Sequence, residues 1–155
     1  MNKYLKIILS ISLPLLIGFV SSYFTVNSID SWYITLEKPF FSPPNWLFWP
    51  VWTTLYILIW LSFYFVWNKR FWKEKFKLIF VYFLQLFLNF TWSFTFFYLE
   101  NPLLWFINII TLWFLIIYNI ILFYKVYKNS GLILIPYLLW VSFASLLNLA
   151  LYLLN

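Results

Sequence analysis

Residues 39–56 read PFFSPPNWLFWPVWTTLY, and this stretch, set between two long apolar runs, decides how the rest of the chain is read. It holds four of the chain's seven prolines and three of its eleven tryptophans. Proline fixes φ and lacks a backbone donor, so Pro39, Pro43 and Pro44 describe a stiff, non-helical approach to a helix. Asn45 is placed to cap that helix and Trp46 to open it. Pro50 then falls in the first turns, where N–H groups have no intrahelical partner. The stretch reads as a rigid loop that delivers an aromatic-rich helix start to one membrane face, with a binding site beneath it.

Working outward, composition sets the class. Of 155 residues 65% are hydrophobic, 28% aromatic and only 9% charged. A soluble chain of this length cannot hide that much apolar surface, so an integral membrane protein is expected. Cysteine and histidine are both absent. Disulfides, Cys/His zinc sites, imidazole ligation of haem iron and Ser–His or Cys–His nucleophiles are therefore excluded. The two glycines, Gly18 and Gly131, are too far apart to build a phosphate-binding loop. The net charge of +6 lies in short gaps between apolar runs, which marks one membrane side and does not indicate nucleic-acid binding.

A spanning helix needs about 20 apolar residues. Five segments qualify, at 7–27, 46–67, 77–98, 103–124 and 132–154. Lys3 and Lys6 ahead of the first run also suit a signal peptide, but the run is long for one and Val20-Ser21-Ser22 is a weak cleavage site, so a retained helix is expected. With five spans, one side carries Lys3, Lys6, Lys69, Arg70, Lys73, Lys75, Lys77, Lys125 and Lys128. The other carries Lys38 with Asp30, Glu37 and Glu100. The positive-inside rule then puts the N-terminus inside, and the C-terminus and the 28–45 loop outside, most simply in a cell inner membrane.

The helices are not uniformly apolar. Ser10, Pro14, Gly18, Ser21 or Ser22, and Thr25 form a stripe of small residues that lets backbones approach closely. Gln85, Asn89 and Trp92 share a face, as do Asn108, Thr111 and Asn119, and again Tyr137, Trp140, Ala144 and Asn148. Polar groups at bilayer depth are costly facing lipid, so these faces should turn inward, where interhelical hydrogen bonding is the plain reading of Asn108 and Asn119. Trp67, Trp72 and Trp105 suit an interfacial belt, whereas Trp52, Trp92 and Trp140 lie on faces with polar residues. Indoles with a few amides suit a large, flat, mostly apolar ligand. The residues alone thus give an all-α five-helix bundle, one domain over 1–155, with an aromatic pocket near its outer face.

Several motifs resemble the TspO/MBR family of translocator and tryptophan-rich sensory proteins, the peripheral-type benzodiazepine receptors. Trp32-Tyr33 with Leu36, Lys38 and Pro39 is similar to its W-Y…L-x-K-P segment. Pro43-Pro44-Asn45-Trp46 and Pro50-Val51-Trp52-Thr53-Thr54-Leu55-Tyr56 resemble P-P-x-W…P-V-W-x-x-L-Y. Gln85-Leu86, Leu88-Asn89, Trp92-Ser93 and Phe96-Phe97 resemble the third-helix motif, and Pro136-Tyr137-Leu138, Trp140, Phe143-Ala144 and Leu147-Asn148 the fifth. The resemblance implies a five-helix bundle, often dimeric, whose ligand cavity is capped by the loop between helices 1 and 2. It implies porphyrin as ligand, protoporphyrin IX for example, and no required cofactor or metal. Trp52 and Trp140 match the tryptophans associated with porphyrin binding and breakdown. Tyr33, Pro44, Asn89, Trp92, Ala144 and Asn148 match the pocket wall or its lid, with Asn89 and Asn148 available to polar groups of the ligand.

Departures qualify what is implied. The cholesterol motif that ends the fifth helix in mammalian members lacks its basic residue here, since Tyr152 is followed by Leu153, Leu154 and Asn155; Leu122, Tyr124 and Lys128 fit the loose pattern elsewhere. Asn108 stands where many members are acidic, and Trp49 replaces a common glycine, which should narrow the pocket mouth. Sensing, carriage or sequestration of a porphyrin is the leading expectation. The alternatives are a light- and oxygen-dependent porphyrin-degrading activity centred on Trp52 and Trp140, and an accessory protein regulating a partner complex. No acid–base pair, metal site or nucleophile supports ordinary catalysis, and no charge deep in a segment supports ion-coupled transport.

Overall fold

The computed structural model describes residues 3–69 and 74–155; in the first helix it describes the side chains of Ile8, Ser12, Pro14–Tyr23, Thr25, Val26 and Ser28. The expected roles of Arg70, Trp72 and Lys73, and of the Lys3, Lys6 and Ser10 side chains, lie outside this range. Among the described residues the chain is all helical: α1 (Lys3–Ile29), α2 (Phe48–Trp67), α3 (Lys75–Ser93), α4 (Pro102–Val126), α5 (Lys128–Ile133) and α6 (Ile135–Leu154). Among the described residues four helical stretches are long and apolar enough to cross a membrane: Asn45–Trp67, Lys75–Tyr98, Pro102–Val126 and Lys128–Leu154. The described part of α1 supplies a shorter apolar helix, Pro14–Tyr23, within a helix of 27 residues.

The proline-rich approach folds as its chemistry requires, except at Asn45. Pro44 is extended (φ −65°, ψ 146°), its carbonyl accepts from Leu47 N–H at 3.0 Å, and Asn45–Leu47 forms one 3₁₀ turn. The Asn45 side chain makes no capping bond, and α2 begins at Phe48. The tight turn draws on the Pro44 carbonyl instead, so the expected Asn45 cap is corrected. Pro50 lies in the first turn of α2, where its missing donor costs nothing.

At the end of α3 the helix widens into a π turn, Phe94–Tyr98, and Glu100 takes a left-handed φ of 50° to reverse the chain. Asn101 then caps α4, accepting from Leu104 N–H at 3.1 Å, with Pro102 at the start of the helix. The expected fifth helix, 132–154, is two helices. Pro136 has no N–H to continue the ladder, and the break falls at Leu134, whose N–H turns to the Gly131 carbonyl at 3.1 Å.

The two glycines sit where helices touch. A Cβ on Gly18 would stand 2.8 Å from Tyr56 Cε2, and one on Gly131 2.7 Å from Tyr124 Cβ and 2.9 Å from the Ile120 carbonyl. The small stripe of α1 therefore does pack on α2, with Pro14 and Ser21 buried. The fourth-helix face is only partly as expected. Asn119 is buried, but Thr111 is exposed and its hydroxyl returns to the Ile107 carbonyl at 2.8 Å. Asn108 is bonded to α3: its oxygen accepts from Thr91 Oγ1 at 2.8 Å and its nitrogen donates to the Leu88 carbonyl at 3.0 Å.

Trp105 is a further correction. It is 0% exposed, wedged against Phe96 (ring centroids 4.5 Å) and Trp32 (5.6 Å). The π turn and the outer loop fold over the start of α4 and bury a ring that its terminal position alone assigned to the interface.

Candidate functional site

Two helical turns of α2 and two of α6 bring the site's rings together. Phe48 and Trp52 share a face of α2, and Phe48 meets Trp140 of α6 at 6.3 Å. Trp52 lies 6.1 Å from Trp92 of α3, tilted by 30°. From the outer loop Tyr33, 2% exposed, is inserted between Phe48 (6.3 Å) and Phe96 (5.9 Å). Burial raises the pKa of the Tyr33 phenol above its usual range, and Ser42 beside it partly offsets the shift. These rings enclose a chamber of about 20 Å³ that also touches Ala144, Leu147 and Asn148.

Six of the sequence-selected residues thus line one chamber: Tyr33, Trp52, Trp92, Trp140, Ala144 and Asn148. Asn89 lies one turn below Trp92 and holds the bundle together. Tyr56 Oη donates to Asn89 Oδ1 at 2.8 Å, and Asn89 Nδ2 donates to Tyr137 Oη at 2.9 Å, tying α2, α3 and α6. Asn148 Oδ1 accepts from Trp92 Nε1 at 3.0 Å, while its nitrogen donates to the Ala144 carbonyl at 2.8 Å. Both amides are committed internally, which corrects the expectation that they stand available to a ligand; in hydrocarbon an amide takes whatever partner the neighbouring helix offers. Pro44 does not line the chamber. It is exposed and sets the 3₁₀ turn that precedes α2.

Sequence reasoning passed over Phe48 and Leu147 as site residues, and quoted Phe96-Phe97 only as part of a motif; all four line the chamber. Phe48 was legible, since it stands four residues before Trp52 on one helical face. The π turn that aims Phe96 and Phe97 inward carries no local sequence signal.

On the far side of Trp52 and Trp92 a cleft of about 180 Å³ opens between α1, α2 and α3, edged by Gly18, Ser21, Ser22 and Trp49. Phe48, Trp52, Trp92 and Phe97 line both spaces and form the partition between them. Trp49 borders the cleft, not the chamber. On the other flank Trp140 separates the chamber from an apolar groove of about 550 Å³ between α2 and α6.

Beyond the inserted rings of Trp32 and Tyr33, the outer loop is tied to the bundle by side-chain contacts along its length. Ser28 Oγ donates to the Phe97 carbonyl at 2.7 Å. Phe41 lies on Phe143 at 6.3 Å. Asn155 clasps the Glu37 peptide from both sides, accepting from its N–H at 3.0 Å and donating to its carbonyl at 3.1 Å. Lys38 Nζ stands 4.1 Å above the Tyr33 ring, a cation–π contact that holds the inserted phenol.

Comparison with known proteins adds the relatives. The model of the TspO/MBR family matches residues 10–153. A tryptophan-rich protein TspO from Archaeoglobus fulgidus is 48% identical over 151 residues, 97% of this chain and 97% of its own. One from Chlorobaculum tepidum is 41% identical over 157 residues, covering 100% and 99%. The translocator protein of Bos taurus is 30% identical over 138 residues, covering 88% and 82%.

Proposed function

This chain belongs to the TspO/MBR family of integral, multi-pass membrane proteins, and on that premise we propose that it binds a porphyrin or a similarly large, flat, apolar ligand in the chamber beneath its outer loop. The observation that carries this reading is the convergence of Tyr33, Trp52, Trp92 and Trp140 on one space lined otherwise by Phe, Ala and Leu and one internally bonded Asn. Such walls offer π faces and no charge, which matches the body of a macrocycle.

At about 20 Å³ the chamber is closed, far below the roughly 300 Å³ at which ligand sites begin. Binding therefore requires movement. The outer loop is the lid: lifting Tyr33 uncovers the chamber, and turning Trp52 and Trp92 joins it to the cleft behind them. Porphyrin carboxylates would remain near Lys38 at the mouth, since no charged side chain among the described residues lines the interior. The basic end, with Lys69, Lys75, Lys77, Lys125 and Lys128, faces the cytoplasm, so the lid opens outward from an inner membrane. This arrangement suits sensing, carriage or sequestration.

The test is a titration of the detergent-purified protein with protoporphyrin IX in the dark, followed by intrinsic tryptophan fluorescence. Saturable quenching is expected, with affinity falling about tenfold, or about 1.4 kcal/mol, in Trp140→Phe. Unchanged affinity in Trp140→Phe and in Trp52→Phe would rule out this chamber as the site.

A further inference from the structure

Gln85 is the only glutamine in the chain, and the porphyrin reading makes no use of it. It is 0% exposed in the middle of α3, and neither its Oε1 nor its Nε2 has a hydrogen-bond partner among the described residues. It is not alone: of the nine other described residues with a buried, unpartnered side-chain atom, three belong to the same part of the bundle, through the Tyr82 hydroxyl, Asn119 Oδ1 and the Ser130 hydroxyl, in residues exposed by 1%, 1% and 0%.

The packing places Gln85 and these three within two successive turns of the bundle's inner half. Ser62 Oγ donates to the Ser130 carbonyl at 2.7 Å, and the next residue, Phe63, stacks on Tyr82 at 3.9 Å. Residues 82 and 130 are therefore level with the same turn of α2. Phe123 of α4 stacks on Tyr82 at 6.3 Å, and Asn119 lies one turn from Phe123 on the same face. Gln85 follows Tyr82 by three residues, also on one face. One turn further out, both ends of the Asn89 amide are bonded, its oxygen to Tyr56 and its nitrogen to Tyr137.

An amide or hydroxyl in an apolar setting without a partner is costly, and hydrocarbon supplies no substitute. The four groups offer donors and acceptors together: two donors and an acceptor from Gln85, one of each kind from Tyr82 and Ser130, and an acceptor from Asn119. None carries a charge, so an ion finds no counter-charge among them. The matching ligand is small, neutral and able both to donate and to accept. We propose that the inner half of the bundle contains a buried hydration site, where ordered water bridges Gln85, Tyr82, Asn119 and Ser130.

Because the chain has one glutamine, ¹⁵N-glutamine labelling of the full protein in lipid bilayers gives a single side-chain amide signal, identified by its loss in Gln85→Leu. Magnetisation transfer from water to that amide, measured by solid-state NMR, tests the site. Strong transfer from water is expected in the wild type, reduced severalfold in Asn119→Leu, which removes one of the bridged acceptors. An amide polarised from lipid acyl chains and protein carbons but not from water would overturn the proposal, as would full transfer unaltered by Asn119→Leu. Neither result depends on porphyrin binding.

Discussion

At Gly18 a single hydrogen in place of a methyl group decides how α1 meets α2. The Tyr56 ring that a Cβ would strike at 2.8 Å is fixed by its bond to Asn89 and cannot turn aside freely. Gly18→Ala should lower stability by about 1–3 kcal/mol through overpacking, read as a drop in the thermal midpoint in detergent. An unchanged midpoint would show that α1 is free to shift. Asn89→Leu leaves two buried hydroxyls, on Tyr56 and Tyr137, without their bonds, and interhelical bonds in membranes contribute about 0.6 kcal/mol each on average. A loss of about 1–3 kcal/mol is therefore expected once desolvation of the stranded groups is included, with Tyr56→Phe milder because it removes only one bond. Equal midpoints for Asn89→Leu and wild type would contradict the triad. Much at this scale was legible in the chain. Polar and aromatic residues at helical spacing identified Trp52, Trp92, Trp140, Asn89 and Asn148. Trp105 was not, because what buries it is the π turn after α3 and the loop, neither of which declares itself in nearby sequence.

Among elements, the outer loop is the part that the proposed binding requires to move, and its clasp is asymmetric. The Asn155 amide imitates a peptide against Glu37, while Ser28 anchors the other end of the loop to Phe97. Asn155→Ala should raise hydrogen exchange at the Glu37 amide by about tenfold, matching the loss of roughly 1–1.5 kcal/mol from its hydrogen bond. The porphyrin association rate should rise with it. Unaltered exchange would mean that the loop is held elsewhere. Prolines announced the extended approach at Pro44 and the start of α2 within three residues. They also hid a feature: Pro136 was read as part of a continuous fifth span, yet its missing N–H breaks that span at Leu134. Hydropathy sees the apolar run across 128–154 and is blind to the interruption, because both halves remain apolar.

For the whole molecule, the proposed orientation rests on charge distribution. The absence of native cysteine makes this directly measurable. Lys38→Cys should react with a membrane-impermeant maleimide in intact cells, and Lys125→Cys only after permeabilisation; the reverse pattern would invert the proposed topology. Length and hydropathy were enough to read the helical bundle, since each span carries its own apolar run. They were silent on how tightly the chamber closes, because that depends on rings contributed by α2, α3, α6 and the loop at once. The most direct test of the account links the lid to the bundle. In a Phe41→Cys/Phe143→Cys variant, a short reducible cross-linker would lock together two positions whose native rings lie 6.3 Å apart. The locked protein should fail to quench with protoporphyrin IX and regain saturable binding on reduction. Equal binding in the locked and reduced states would show that the ligand sits outside the chamber.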